Sequence, residues 1–211
     1  MINKYLDIVK CQIDCMVSSG LYERLDHIYI GCLGSKNEFN KLKLVLAEYP
    51  KIEIYSFNID ILKYEFHTLQ IVQDISCEKE KFYGFYIHTK GCNYPDNVGG
   101  KYWLDYMNYY NLTLWKDAVK SLDLGYYTYG VKLLPATYPP AFKMHYSGNF
   151  FWFNSEYVST LPDIDTLNKC NRYNAETWVC SGQPIAATAC QAFVDYNTEG
   201  SFEPYQNICN E

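Results

Sequence analysis

The chain has 211 residues, of which 48% are hydrophobic and 20% charged, which is ordinary for a folded domain with a large core. Its net charge is -6, which disfavours a general nucleic-acid binder, because such proteins need a basic field against the phosphates. Its longest apolar runs, such as NFFWF, are too short to span a membrane. We therefore expect no nucleic-acid partner and no membrane span.

The number and spacing of the cysteines indicate whether the protein works in a reducing or an oxidising compartment. There are nine of them, an odd number, and no two form a C-x-x-C pair. This usage favours a reducing, cytoplasmic environment over a disulfide scaffold or a zinc cluster. The N-terminal stretch mixes charges into an apolar period and lacks the hydrophobic region of a signal peptide. The C-terminal stretch SFEPYQNICNE gives no signal for the end of a fold, so a longer parent protein is left open.

Helical and strand patterns alternate through the first part of the chain. Apolar residues recur at helical spacing near the N-terminus, and β-rich runs follow that end in polar residues or glycine. In chain order, the patterns predict a helix over 2–19, a strand over 27–34, a helix over 36–50, a strand over 51–60, a helix over 61–76 and a strand over 82–89.

The second part of the chain begins with one long helical pattern, which we expect to break near Asn111. Proline marks both a loop and the first turn of the last predicted helix. The remaining patterns predict a helix over 99–125, a strand over 125–131, a loop over 132–142, a strand over 147–154 and helices over 155–161, 174–180 and 184–196.

This element order predicts one α/β domain over 1–211, with a mostly parallel central sheet flanked by helices. In such sheets, ligands bind beyond the carboxyl ends of the strands. Two predicted strand ends carry short polar or glycine-containing segments. Gly31 follows the first strand and permits close approach of a ligand, although a plain turn explains it equally. Asn58 and Asp60 end the second strand and can contact a nucleoside, or simply cap the next helix.

The sharpest feature is the polar end of the strand FYGFYI, formed by His88, Thr89 and Lys90. A lysine there can bind phosphate as a point charge, and a threonine can add a hydroxyl contact. Histidine can donate to phosphate or bind a metal. A solvated loop is the ordinary explanation of such a tripeptide, but the strand before it directs these side chains to the expected ligand edge.

Two later stretches contain further candidates for ligand-binding or catalytic residues. HYSGNFFWFN, residues 145–154, combines small polar residues with an aromatic strand and suits a sugar lying close to the backbone, or is a loop entering the core. Glu176, in the first turn of a helix, either complements the helix dipole or serves as a general base. Asp163 and Asp165 form an Asp-x-Asp sequence, which we interpret as a cap or turn because it lies in a loop.

Taken together, these motifs resemble a group of GT-A-type glycosyltransferases that has rhamnan-synthesis-like relatives and chlorella-virus members that build capsid glycans. The resemblance covers most of the chain. It is carried by SSGLYERLDHIYIGCLG, YIHTKG, GGKYW, HYSGNFFWF, YVSTLP and RYNAETW.

The resemblance implies a GT-A fold with a nucleotide-binding half over 1–95 and a donor-sugar and acceptor half over 96–211. It implies a UDP-sugar donor, a glycan acceptor and, for a viral protein, the host cytoplasm. By position, its implied contacts are Gly31, Asn58 and Asp60 around the uridine, His88, Thr89 and Lys90 at the diphosphate, and Ser147 and Asn149 at the donor sugar.

The sequence differs from the family in the residues expected to bind the metal ion. His88 to Lys90 stand where most GT-A enzymes have Asp-x-Asp, so a manganese ion would be held mainly by the diphosphate and water, with His88 or His145 helping. In the implied mechanism, Lys90 stabilises the leaving diphosphate, and Glu176 takes the acceptor proton if the reaction inverts or orients the sugar if it retains. Tyr146 and Trp152 are expected to contact the acceptor and to shape the sugar pocket, although Trp152 is equally explained as a core residue.

Two other classes of function stay open on the sequence. A noncatalytic nucleotide-sugar or glycan-binding module is compatible with the missing Asp-x-Asp. A cysteine-dependent hydrolase is compatible with the residue content, but no local motif supports it.

Overall fold

The computed structural model describes residues 4–92, 98–136 and 143–189. In these ranges the chain forms a mixed α/β fold, in which helices surround three small sheets. The helices are α1 (Lys4–Ser18), α2 (Leu21–Arg24), α3 (Lys36–Leu46), α4 (Phe66–Glu78), α5 (Val98–Asn108), α6 (Trp115–Asp123), α7 (Ser155–Val158) and α8 (Tyr173–Thr177).

The strands are short and belong to a two-stranded sheet β1–β2, a four-stranded sheet in the order β3-β7-β4-β8, and a two-stranded sheet β5–β6. Their bounds are β1 (Ile28–Leu33), β2 (Ile52–Asn58), β3 (Tyr83–Tyr86), β4 (Thr128–Gly130), β5 (Leu133–Leu134), β6 (His145–Tyr146), β7 (Phe151–Asn154) and β8 (Ala186–Thr188).

The expectation of a mostly parallel central sheet is wrong for the described strands. β1 pairs with β2 and β4 with β8 in parallel, but β7 runs antiparallel to both β3 and β4. The physical reason is that β7 lies between β3 and β4, and all four of its residues are buried. An apolar strand of this kind fits the centre of a sheet in either direction, so composition does not determine its polarity.

The helix predicted over 184–196 is also wrong within the described residues. Residues Ala186–Thr188 instead form β8, which extends the sheet beside β4. Alanine has the highest helix propensity, but intrinsic propensity is a weak preference, and pairing with the buried strand β4 overrides it. The rest of that predicted helix lies outside the described residues, as does part of the predicted loop over 132–142.

The break expected near Asn111 is confirmed. A π-helical segment, Tyr109–Thr113, separates α5 from α6. The buried side chain of Asn111 donates to the carbonyl of Met107 at 2.8 Å, and the backbone carbonyl of Asn111 accepts from the indole of Trp152 at 2.9 Å. The wider turn thus joins the long helical region to the central sheet.

The region predicted as a helix over 61–76 begins later than expected. A 3₁₀ turn covers Ile61–Lys63, and Tyr64 then adopts a positive φ of 44° before α4 begins. The side chain of Asp60 accepts from the backbone N–H of Leu62 at 3.0 Å and caps that turn. This arrangement confirms the capping interpretation of Asp60.

Helix α4 packs closely over β1, and this contact depends on Gly31. A Cβ atom at this position would lie 2.8 Å from Thr68 Oγ1 and 2.9 Å from Ile71 Cδ1. The register between β1 and β2 also shifts between Ile30 and Gly31. Gly31 therefore lies within β1, not after it as expected from the sequence, and its lack of a side chain permits the approach of a helix.

None of the described helices is long and apolar enough to cross a membrane.

The packing at Gly31 gives a stability prediction. We expect Gly31→Ala to lower the free energy of unfolding by about 1–3 kcal/mol, because the added methyl group overpacks the contact with α4. Chemical denaturation measures this loss. In a double variant that also carries Thr68→Ala, part of the loss should be recovered, since the nearest clashing atom is removed. Full stability of Gly31→Ala would contradict the packing role.

Candidate functional site

A cleft of about 1240 Å³ lies between β1 and β3. In the described ranges β1 is hydrogen-bonded only to β2, and β3 only to β7, so the other edge of each strand faces the cleft. Helix α1 contributes apolar side chains to its lining, and so does α4. The volume is larger than the usual range for small-molecule sites, about 300–1,000 Å³.

One region of the cleft is polar and lies at the carboxyl end of β3. Of the residues singled out from the sequence, five line the cleft: Gly31, His88, Thr89, Lys90 and Glu176. The tripeptide after β3 and the first turn of α8, far apart in sequence, thus contribute to one space. The cleft includes residues from both halves predicted from the sequence, 1–95 and 96–211.

His88 is held in one orientation. Its Nε2 lies 3.1 Å from the carbonyl oxygen of Gly148. A carbonyl only accepts, so Nε2 must carry the proton of this hydrogen bond. The ring also stacks on Tyr86 and meets the edge of Phe150. The backbone carbonyl of His88 accepts from the amide of Gln12, which connects this segment to α1.

Lys90 directly follows this fixed histidine. Its backbone N–H donates to the carbonyl of His88 at 2.8 Å, which bends the chain after β3. Its ammonium makes no hydrogen bond or ion pair with any described residue. A half-buried ammonium without such a partner is suited to an anionic ligand. The hydroxyl of Thr89 is directed to the sulfur of Cys92, at 3.8 Å.

Glu65, which the sequence analysis did not select, connects several of these residues. It immediately precedes α4 and lines the cleft. Its Oε2 accepts from the amide of Asn149 at 2.5 Å and from the hydroxyl of Tyr86 at 3.5 Å. The same oxygen lies 3.8 Å from Nε2 of His88. No motif marks this glutamate, because a Glu before an apolar helical pattern is an ordinary helix start.

Tyr86 lies between two carboxylates. Burial, with the negative charges of Glu65 and Glu176, raises the pKa of its hydroxyl well above its ordinary value. The phenol therefore stays neutral and donates a hydrogen bond to Glu65. Helix α8 is joined to this group through Asn149, whose amide lies 3.5 Å from the carbonyl of Ala175.

Arg172 is a second cation on the cleft that sequence reasoning missed. It precedes α8, four residues before Glu176, and its guanidinium lies 5.3 Å from the ring centroid of Tyr173. A motif search does not distinguish it from any other surface arginine. Only the folded chain brings it to the same cleft as Lys90.

Asn58 and Asp60 are not among the residues that line the cleft. Asn58 Oδ1 accepts from the backbone N–H of Asp60 at 2.9 Å, and Asp60 caps the following turn. Both side chains thus have local structural partners. Their predicted contact with the uridine stays a prediction.

The stretch 145–154 is mostly core. Tyr146 is fully buried, and its hydroxyl donates to the carbonyl of Ala187 at 2.8 Å. Trp152 is 3% exposed and packs against Phe85. Both are large aromatic side chains with satisfied polar atoms in the core, which agrees with the alternative interpretation of Trp152. Their contact with an acceptor stays a prediction.

The other candidates of this stretch do not line the cleft themselves, and their predicted contacts stay predictions. Asn149 is fully buried, and its amide contacts two residues that line the cleft, Glu65 and Ala175. Ser147 and His145 are not among the residues lining the cleft. Nδ1 of His145 lies 2.7 Å from the carbonyl of Lys143. His145 and His88 are therefore not joined in one site by any described contact.

The described residues do not form a metal site by themselves. No group of three or more His, Cys, Asp or Glu side chains in the described ranges is arranged to hold an ion. Near the predicted position, His88 Nε2 is already directed to Gly148, and the cations Lys90 and Arg172 line the same cleft. Manganese therefore stays a prediction of the resemblance, without a protein ligand set in this structure.

Asp163 and Asp165 belong to a capped turn, as the sequence analysis expected. Asp163 Oδ1 accepts from the backbone N–H of Asp165 at 2.8 Å, and Asp165 pairs with Lys169.

Comparison of the chain with protein-family models, with curated proteins and with solved structures finds no match to any of them.

The pKa values of the cysteines predict which thiols react with an alkylating reagent, and this reaction distinguishes a transferase from a thiol-dependent hydrolase. A hydrogen bond with the Cys15 thiol lowers the pKa of the exposed Cys11 to about 7, whereas burial raises the pKa of Cys32 to about 11 and of Cys180 to about 12. Because the thiolate is the nucleophile, alkylation of Cys11 by iodoacetamide should accelerate as the pH rises through about 7. Cys32 and Cys180 should stay unmodified.

Peptide mass spectrometry measures this order of modification. The matched variant Cys15→Ala removes the hydrogen-bond partner and should shift the acceleration at Cys11 to higher pH. Equal rates in both proteins would contradict the assignment. Cys11 does not line the cleft, so its alkylation should leave a transferase active. A hydrolase that uses this thiol would be inactivated.

Proposed function

We propose that the chain is a GT-A-type glycosyltransferase that moves a sugar from a UDP-sugar donor to a hydroxyl of a glycan acceptor. The observation that carries the proposal is the shared lining of one cleft by Lys90 and Glu176, next to the fixed ring of His88. A cation for a leaving diphosphate and a carboxylate for an acceptor hydroxyl are the two charges that this reaction needs.

The diphosphate lies against Lys90, with Thr89 as a hydroxyl partner. Support comes from the position of Lys90 on the cleft and from the absence of a described partner for its ammonium. Arg172 is a second cation for the same group, since a guanidinium binds phosphate oxygens in pairs. As the bond to the sugar breaks, these charges stabilise the negative charge that develops on the diphosphate.

Glu176 acts on the acceptor side. In an inverting reaction, its carboxylate takes the proton of the attacking hydroxyl while the oxygen bonds to the anomeric carbon and UDP departs. In a retaining reaction, it orients the sugar instead. The uridine belongs near Gly31, beside the apolar walls of the cleft, with Asn58 and Asp60 as its predicted polar contacts.

Manganese, if bound, supplies further neutralisation of the leaving diphosphate. Because no described ligand set fits the ion, no step of this proposal depends on it. The setting is the synthesis of capsid or surface glycans in the cytoplasm, as the resemblance implies.

A noncatalytic module that binds a nucleotide sugar or a glycan is the second candidate. The burial of Tyr146 and Trp152 favours it, because these were the residues expected to contact an acceptor. Both candidates require donor binding in the cleft. Only the transferase requires turnover.

Turnover is the measurement that decides between them. With UDP-glucose, UDP-galactose or UDP-xylose and a xylose- or hexose-based acceptor, we expect release of UDP that depends on the acceptor, with and without manganese. Binding of donors without release, across the whole panel, would support the module and contradict the transferase. Glu176→Gln should bind the donor and lose most of the turnover, since the amide cannot take a proton.

Lys90 gives a binding prediction. UDP at about 100 times its dissociation constant should stabilise the protein by roughly 2.7 kcal/mol, which a thermal shift detects, whereas GDP and CMP should not. Lys90→Ala should weaken UDP binding about tenfold or more, because a hydrogen bond to a charged group contributes roughly 1.5–3 kcal/mol. Lys79→Ala is the matched control, since Lys79 also lines the cleft but bonds to Tyr29. Equal UDP affinity in both variants would refute this placement of the diphosphate.

A further inference from the structure

The two carboxylate oxygens of Glu65 have different surroundings. The side chain is 24% exposed and lines the cleft, so it is neither a core group nor a freely solvated one. Its position before α4 also fixes the backbone, because the carbonyl of Glu65 accepts from the N–H groups of Thr68 and Leu69. A carboxylate on such a fixed backbone can be presented to a ligand without a large loss of side-chain entropy.

Oε2 is held by the protein. It accepts from Asn149 at 2.5 Å and from Tyr86 at 3.5 Å. Asn149 is fully buried, and Tyr86 is 2% exposed, so both donors are themselves rigid. The raised pKa of Tyr86 keeps its proton available for this bond. Together these contacts orient the plane of the carboxylate.

Oε1 is open to the cleft. It makes no hydrogen bond to a described residue. It is also not among the buried side-chain oxygens that lack a partner. An oxygen that is neither bonded nor enclosed is accessible, and here the accessible space is the cleft. The protein thus offers one oriented acceptor atom next to His88.

The chemistry of that atom selects its partner. An ionised carboxylate oxygen only accepts hydrogen bonds, and it repels phosphate. The diphosphate therefore belongs with Lys90 and Arg172, and the group at Oε1 must be a donor. On a nucleotide sugar, the donors are the hydroxyls of the ribose, the hydroxyls of the transferred sugar and the N–H of the uracil. Glu65 is bonded to Asn149, whose amide also lies against the carbonyl that precedes Glu176. This is the side of the cleft where the proposed function places the sugar and not the uridine, so the hydroxyls of the transferred sugar are the donors within reach of Oε1.

We propose that Glu65 is a sugar-recognition residue, whose Oε1 accepts a hydrogen bond from a hydroxyl of the transferred sugar while Asn149 and Tyr86 hold Oε2. This inference rests on the proposed function, because it requires a nucleotide sugar in the cleft. It assigns to Glu65 the choice of sugar, not the proton transfer given to Glu176.

The test compares ligands with and without the sugar. Calorimetry measures the affinities of UDP, UDP-glucose, UDP-galactose and UDP-xylose for wild type and Glu65→Gln. The amide keeps the shape but has lost the charge, and we expect the sugar nucleotide preferred by wild type to bind about tenfold more weakly. UDP itself should bind as before. Glu80→Gln is the matched control, since Glu80 lines the cleft but is exposed and has no contact with the Glu65 group.

The affinities of UDP-sugars that lack one sugar hydroxyl provide a second measurement. A purely structural role of Glu65 would not make these affinities depend on which hydroxyl is missing. Removing the contacted hydroxyl from the preferred sugar should weaken binding to wild type and have little further effect on Glu65→Gln. If Glu65→Gln does not fold, the same deoxy series on wild type and Glu65→Asp replaces it. The proposal then requires a hydroxyl whose loss weakens binding to wild type more than to Glu65→Asp.

Four results are distinguishable. Equal losses for UDP and the sugar nucleotide, or no loss at all, overturn the role of Glu65 and leave the proposed function standing. Loss of a manganese-dependent gain in UDP affinity identifies Glu65 as a metal ligand and also overturns it. Selective loss for the sugar nucleotide without any turnover supports the inference and refutes the transferase. Failure of wild type to bind any of the four ligands refutes both.

Discussion

The carboxylate of Glu65 is the interaction on which the polar end of the cleft depends. It joins the start of α4 to Tyr86 on β3 and to Asn149 in the turn before β7. Asn149 in turn lies against the carbonyl that precedes Glu176. Charge-assisted hydrogen bonds from buried donors are among the stronger noncovalent contacts, so segments far apart in sequence are fixed around one space.

Among the described residues, the cleft lies where β1 and β3 each leave one edge without a neighbouring strand. β1 belongs to a small parallel pair and β3 to the mixed sheet, and helices α1 and α4 cover the space between them. Close packing of α4 on Gly31 fixes one wall. The residues at the carboxyl end of β3 then face a space with apolar side chains along much of its lining and with the cations Lys90 and Arg172. Such a lining suits a ligand that carries an anionic group.

Pattern and strand-end reasoning predicted part of this site. His88, Lys90 and Glu176 line the cleft because hydrophobic runs located the strand and the helix that carry them. The same reasoning did not determine that Tyr146 and Trp152 are buried, since an aromatic residue in a strand has the same pattern whether it faces a ligand or the core. Glu65 and Arg172 could not be predicted, because their significance comes only from neighbours that are distant in sequence.

The sequence by itself determined most of the helices and strands, the break at Asn111 and the polar end of β3, because these depend on local periodicity, capping and turn residues. Only the tertiary structure decided that the sheet is mixed, that residues 186–188 form a strand, and that Glu65 meets Tyr86 and Asn149. Strand direction and long-range hydrogen bonds depend on which segments pack together, and that choice is made by the whole core and not by any local pattern.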